Sequence, residues 1–108
     1  MKSKVTIDIA KQFSTEPAGR FPTDGPNSGE RFRNELLLPA LLGTQEVVVI
    51  LDGAEGYGSS FLEEAFGGLV REGKLSAADL HDRLEIVSEE DASLVQEAWD
   101  YIDTADLI

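Results

Sequence analysis

Val5, Ile7 and Ile9 alternate with Thr6 and Asp8, and this period of two predicts a half-buried strand over residues 4–10. The alternation then stops. Residues 14–29 run through Glu16-Pro17-Ala18-Gly19 and Thr23-Asp24-Gly25-Pro26-Asn27-Ser28-Gly29, which reads as turns around at most one short strand near Arg20 to Pro22. Asn27 with Glu30 three positions on has the spacing of a capping box, so a helix should begin near Ser28. Phe32, Leu36, Leu37, Ala40 and Leu41 share one face of it, and Pro39 should kink or end it before Gly43.

Glu46-Val47-Val48-Val49-Ile50-Leu51-Asp52 is a continuous, largely β-branched run that predicts a central strand covered on both faces. Gly53 to Gly58 should form a loop, and Ser60 with Glu63 makes a second capping box opening a helix. On that helix Phe61, Leu62, Ala65, Phe66, Leu69 and Val70 make an apolar stripe, with Gly73 ending it. Ser76 to His81 reads as a short helical turn and Arg83 to Val87 as a third strand. Ser88 should cap a last helix that buries Leu94, Val95, Ala98, Trp99 and Ile102. Strands separated by helices indicate an α/β domain with a small mixed or partly parallel sheet packed against helices.

The 108 residues fit a single domain spanning 1–108. The chain has no cysteine, which removes disulfides, thiolate zinc sites and thiol nucleophiles. Its longest apolar stretches are far short of the roughly 20 residues that span a bilayer, and its start lacks the apolar segment of a signal peptide, so a cytoplasmic protein is expected. The net charge is -12 and unevenly placed: six basic and four acidic side chains precede residue 34, against three basic and seventeen acidic after it. A surface this negative repels nucleic acid and anionic membranes. It serves solubility or attracts a basic protein partner, and composition alone does not choose.

The stretch Leu51-Asp52-Gly53-Ala54-Glu55-Gly56-Tyr57-Gly58-Ser59-Ser60-Phe61-Leu62 carries the candidate chemistry, because sites in open α/β sheets form beyond the carboxyl ends of strands. A helix N-terminus there favours an anion, bound or attached covalently to a serine. Ser60 as a cap and Ser59 as a solvated neighbour is the structural alternative. The glycines match neither a P-loop nor a dinucleotide fingerprint. Arg31 and Arg33 could act as fork donors or lie on a solvated helix face. His81 lies near Asp79 and Asp82 and reads as a surface histidine. Asp100, Asp103 and Asp106 recur at helical spacing without a calcium loop, so neither a metal nor another cofactor is expected. Gly67-Gly68 within a helix needs close packing on the sheet or on a partner to offset its cost.

The order strand, irregular stretch, helix, Val-rich strand ending in Asp, Ser-Ser at a helix start, strand and amphipathic helix resembles the STAS fold of anti-sigma factor antagonists. Arg20-Phe21, Asp24-Gly25-Pro26 and Ser28-Gly29-Glu30-Arg31-Phe32-Arg33, followed by Ser59-Ser60-Phe61-Leu62-Glu63-Glu64-Ala65-Phe66-Gly67-Gly68-Leu69, are similar to the bacterial STAS-like family of unassigned function. The resemblance covers roughly residues 4–103. In the antagonists an Asp-Ser-Ser/Thr-Gly motif opens the helix after the central strand and is phosphorylated by a GHKL-type ATPase. That implies Ser59 as acceptor and Ser60 as the following serine. Gly58 stands where the antagonists have Asp, and Phe61 where they have Gly.

The expectation is a non-enzymatic regulatory module that binds a protein, such as a GHKL-type kinase or anti-sigma-like regulator. Asp24, Gly25, Ser28, Arg31, Arg33, Asp52 and Tyr57 are candidates for partner or anion contacts. A small-molecule or nucleotide sensor built on the Gly25 to Arg33 stretch and the Ser60 helix start is the alternative. A small hydrolase, with Ser59 as nucleophile or Asp24 and Asp52 as acid and base, ranks lower, since no base stands ready to activate the serine.

Overall fold

The computed structural model describes residues 3–73 and 75–105. Three strands, β1 (Lys4–Asp8), β2 (Glu46–Ile50) and β3 (Leu84–Val87), form a parallel sheet in the order β1-β2-β3. Five helical runs accompany them: α1 (Ile9–Gln12), α2 over 29–43, α3 over 59–71, α4 (Ala77–Arg83) and α5 (Ala92–Ala105). β1 is shorter than the alternation predicts, because the Asp8 carboxylate accepts the Lys11 N–H at 3.2 Å and turns Ile9 into the start of α1. The segment near Arg20 is a 3-10 turn, Pro22–Asp24, rather than a strand. Asp24 dictates this by accepting the N–H groups of Arg20 and Phe21 at 3.1 and 2.9 Å.

The register aligns Val5, Val47 and Leu84, then Ile7, Val49 and Ile86, on one face of the sheet. Val47 and Val49 are fully buried there. The opposite face carries Thr6, Val48 and Glu85 in register, then Asp8, Ile50 and Val87. Thr6 and Glu85 are exposed and Val48, Ile50 and Val87 half-buried, so β2 is not covered on both faces as its composition predicts. Topology supplies the reason. Two right-handed crossovers that step in the same direction, β1 to β2 to β3, put both sets of helices on one side of the sheet.

Ser28 caps α2, its hydroxyl accepting the Arg31 N–H at 3.2 Å, whereas the Asn27 side chain donates instead to the Glu16 carbonyl. Gly29, the first residue of α2, is pressed against the Phe61 carbonyl, where a Cβ would approach to 2.6 Å. Pro39 does not end α2, which runs on to Gly43. A π-turn over Arg33–Leu37 precedes it, with the Leu38 N–H reaching the Arg33 carbonyl, and the chain continues as α-helix over Leu38–Gly43. The buried stripe Phe32, Leu37, Leu41 accordingly steps by five and then four. A second π-turn, Glu63–Gly67, interrupts α3 at the level of the first.

Candidate functional site

The two sequence blocks that carry the family resemblance fold onto each other. Phe32 of α2 meets Phe61 of α3 at a ring-centroid distance of 6.0 Å, with Phe13 against both. One π-turn contributes Arg33 and the other Glu64, and both side chains are buried. The Arg33 Nη1 donates to the Glu64 carboxylate at 2.6 Å and to its carbonyl at 2.7 Å. Gly68 is glycine because a Cβ there would collide with the buried Arg33 guanidinium, while at Gly67 a Cβ would come within 3.3 Å of the Tyr101 carbonyl. The diglycine therefore serves packing inside the molecule. Arg31 does lie outward: it pairs with Glu35, donates to the Pro26 carbonyl at 2.8 Å and stands 5.1 Å from the Phe13 ring.

At the carboxyl end of β2 the loop is strapped down. The Asp52 carboxylate accepts from the Glu89 and Glu90 N–H groups at 2.9 Å each and from the Ser88 hydroxyl at 3.1 Å. Those backbone donors hold it below the usual carboxylate range. The Tyr57 hydroxyl donates to the Leu51 carbonyl at 2.7 Å, and burial pushes its ionisation well above that of a free tyrosine. Ser88 accepts the Asp91 N–H at 3.0 Å, ordering the turn before α5 rather than the helix itself. Asp24 and Asp52 are thus each committed to a separate turn, and the structure does not bring them together.

Ser59 and Ser60 are placed differently from the second capping box. The N-cap of α3 is Gly58, with φ -76° and ψ 154°, and no side chain caps the helix. Ser60 lies inside the first turn, so its predicted capping role is corrected. Gly58 has nothing within 4 Å of a built Cβ, and both serines are exposed. The Tyr101 phenol donates to Glu97 at 2.8 Å, and that hydrogen bond is the main cause of its raised pKa, with Ser59 acting weakly in the opposite sense. His81 joins Asp103 at 2.7 Å rather than Asp79 or Asp82 and stacks on Trp99 at 4.2 Å. Asp100 takes a hydrogen bond from Gln96, and Asp106 lies outside the described residues. Among the described residues no cluster of His or carboxylate side chains could hold a metal ion, and no helix is long and apolar enough to cross a membrane.

A cleft that the sequence reading did not anticipate lies between the turn at Arg20, α2 and α3. It holds about 540 Å³ and is lined by charged side chains, with Phe21 at its rim. Glu63 pairs with Arg20 and Arg71, while Glu64 pairs with Arg33, Arg20 and Arg71. Burial pushes Glu63 up, yet the hydrogen bonds and charges of Arg71 and Arg20 outweigh it and leave the carboxyl below its usual range. The residues come from positions 20, 33, 63, 64 and 71, and only fold topology makes them neighbours.

A parallel sheet with helices on one face, and a serine pair opening the helix that follows its middle strand, define a STAS-like domain. The chain belongs to the family described as STAS-like domain of unknown function (DUF4325), which matches residues 28–94. The match includes Arg33, Ser59, Glu64 and Arg71 and stops short of Arg20 and Tyr101. No curated protein and no solved structure matches the chain.

Proposed function

We propose that this chain is a non-enzymatic regulatory module that docks a protein partner through the surface around Ser59 and is switched by phosphorylation of Ser59, the kinase being of the GHKL-type ATPase class. One observation carries the reading. Ser28 and Ser76 spend their hydroxyls capping helices and Ser88 orders a turn, whereas Ser59 and Ser60 sit exposed at a helix start and cap nothing. A phosphate on Ser59 gains the free N–H groups and dipole of a 13-residue helical run over 59–71. It also places about -1.5 to -2 charges beside the Tyr101–Glu97 pair and Glu63. Local repulsion and the altered outward charge together change what the surface can bind.

The missing Asp at position 58 is not replaced from the strand end, since Asp52 is occupied by Ser88, Glu89 and Glu90. Acceptor positioning then falls to Tyr101. The test is peptide mapping by mass spectrometry of the chain recovered from its native cells, in wild-type, Ser59→Ala and Ser60→Ala forms. One phosphate on the wild type and on Ser60→Ala, absent from Ser59→Ala, is the expected pattern. Phosphate on neither serine under conditions that change partner binding would refute the switch.

A further inference from the structure

We propose that the open face of the sheet docks a helix of a partner protein, one whose apolar stripe is flanked by Lys or Arg side chains. Parallel sheets are ordinarily covered by helices on both faces. Here both crossovers lie on one face, and α5 packs on that side too, against α3. The other face keeps an aliphatic patch: Ile50 stands beside Val87 in register, with Val48 next along β2. All three are only half-buried, and Thr6 and Glu85 beside Val48 are exposed. These are the β-branched side chains of a covered strand, left without the cover.

Charge decides the occupant. Lys4 and Glu46 are register partners on this face and offset each other. Asp8 on β1 and Glu85 on β3 then set its sign, one on each side of the aliphatic patch. At the amino end of the strands a groove of about 330 Å³, lined by Lys4, Glu46, Val48 and Glu85, adds Asp82. Of the other cations around it, Arg83 is committed to Asp79 and to the Leu41 and Thr44 carbonyls, and His81 to Asp103. An apolar strip with carboxylates on both sides matches an apolar stripe with cations on both flanks. A second copy would set carboxylates against carboxylates between chains of net charge -12 each, and nucleic acid is repelled in the same way.

Size limits the occupant to one helix. Strands of five, five and four residues make a face roughly 16 Å long and about 10 Å from the first strand to the third. An α-helix with its side chains is about 10–12 Å across and covers that length in about 11 residues. This face lies across the sheet from α3, so the docking does not depend on the charge of Ser59.

An amide NMR titration of the isotope-labelled chain tests this, with helical peptides of about 14 residues that carry a Leu stripe. One peptide has Lys on both flanks of the stripe, one has Glu there, and one has the composition of the Lys peptide in scrambled order. Saturable shifts at Thr6, Val48, Ile50, Glu85 and Val87 are expected from the Lys peptide alone. Glu85→Lys should weaken that binding at least about tenfold by opposing like charges at the contact, and Val48→Thr should weaken it with the charge unchanged. A merely acidic surface would instead shift residues elsewhere, bind the scrambled peptide equally and lose almost nothing from either substitution. Any of those results overturns the proposal, as does the absence of saturable binding. Shifts of this face that depend on the concentration of the chain alone would overturn it too, by making a second copy the occupant.

Discussion

At the scale of single residues, the serines separate into those that hold the fold and those that do not. Ser28 is fully buried and caps α2, so Ser28→Ala should cost about 1–2 kcal/mol. Ser60→Ala should stay within about 0.5 kcal/mol of wild type in urea denaturation, because no cap is lost. Asp52 gives a second test. Its folded pKa is depressed, so the stability it contributes is full above its unfolded value near pH 4 and is lost as the pH falls through the lower folded value. Asp52→Asn should therefore make acid destabilisation below about pH 4 shallower, as followed by circular dichroism. Sequence spacing placed the serines at the right helix but gave Ser60 a capping role that neither serine has. Ser60 and Glu63 satisfy the capping-box pattern, yet the helix starts two residues too early for the pattern to act.

At the scale of elements, the hydrophobic stripes were legible and their interruptions were not. Phe61, Leu62, Ala65, Phe66 and Leu69 are all buried as their spacing predicts. The π-turns at Arg33–Leu37 and Glu63–Gly67 were hidden, since an extra residue in a turn still leaves an apolar stripe. Their signal was the five-residue step from Phe32 to Leu37. Gly67-Gly68 was the plainest clue that something approaches α3 closely, and the visitor proves to be Arg33 from a helix thirty-odd residues away in sequence. Gly68→Ala should destabilise the domain in spite of alanine's better helix propensity of about 1 kcal/mol, because the added Cβ displaces a buried guanidinium. Urea denaturation decides the sign. A stabilised Gly68→Ala protein would mean that Arg33 does not lie against α3.

At the scale of the whole molecule, the α/β class and all three strands could be read from the sequence, but the number of covered faces could not. The β-branched run of β2 looked like a strand buried on both sides; its neighbours decide otherwise, because Thr6 and Glu85 flank Val48 on the open face. The charged cleft was illegible for a related reason: its arginines and glutamates come from segments far apart in the chain, each unremarkable alone. What the molecule offers to others is then an exposed serine pair at one helix start, backed by the Tyr101–Glu97 pair. The central claim is that this surface engages a partner and that charge on Ser59 controls it. The most direct measurement is the affinity of the partner captured with the wild-type chain from its native cells, compared among wild type, Ser59→Ala and Ser59→Asp. The account predicts equal affinity for wild type and Ser59→Ala and a loss for Ser59→Asp with the fold intact; unchanged affinity for Ser59→Asp would contradict it.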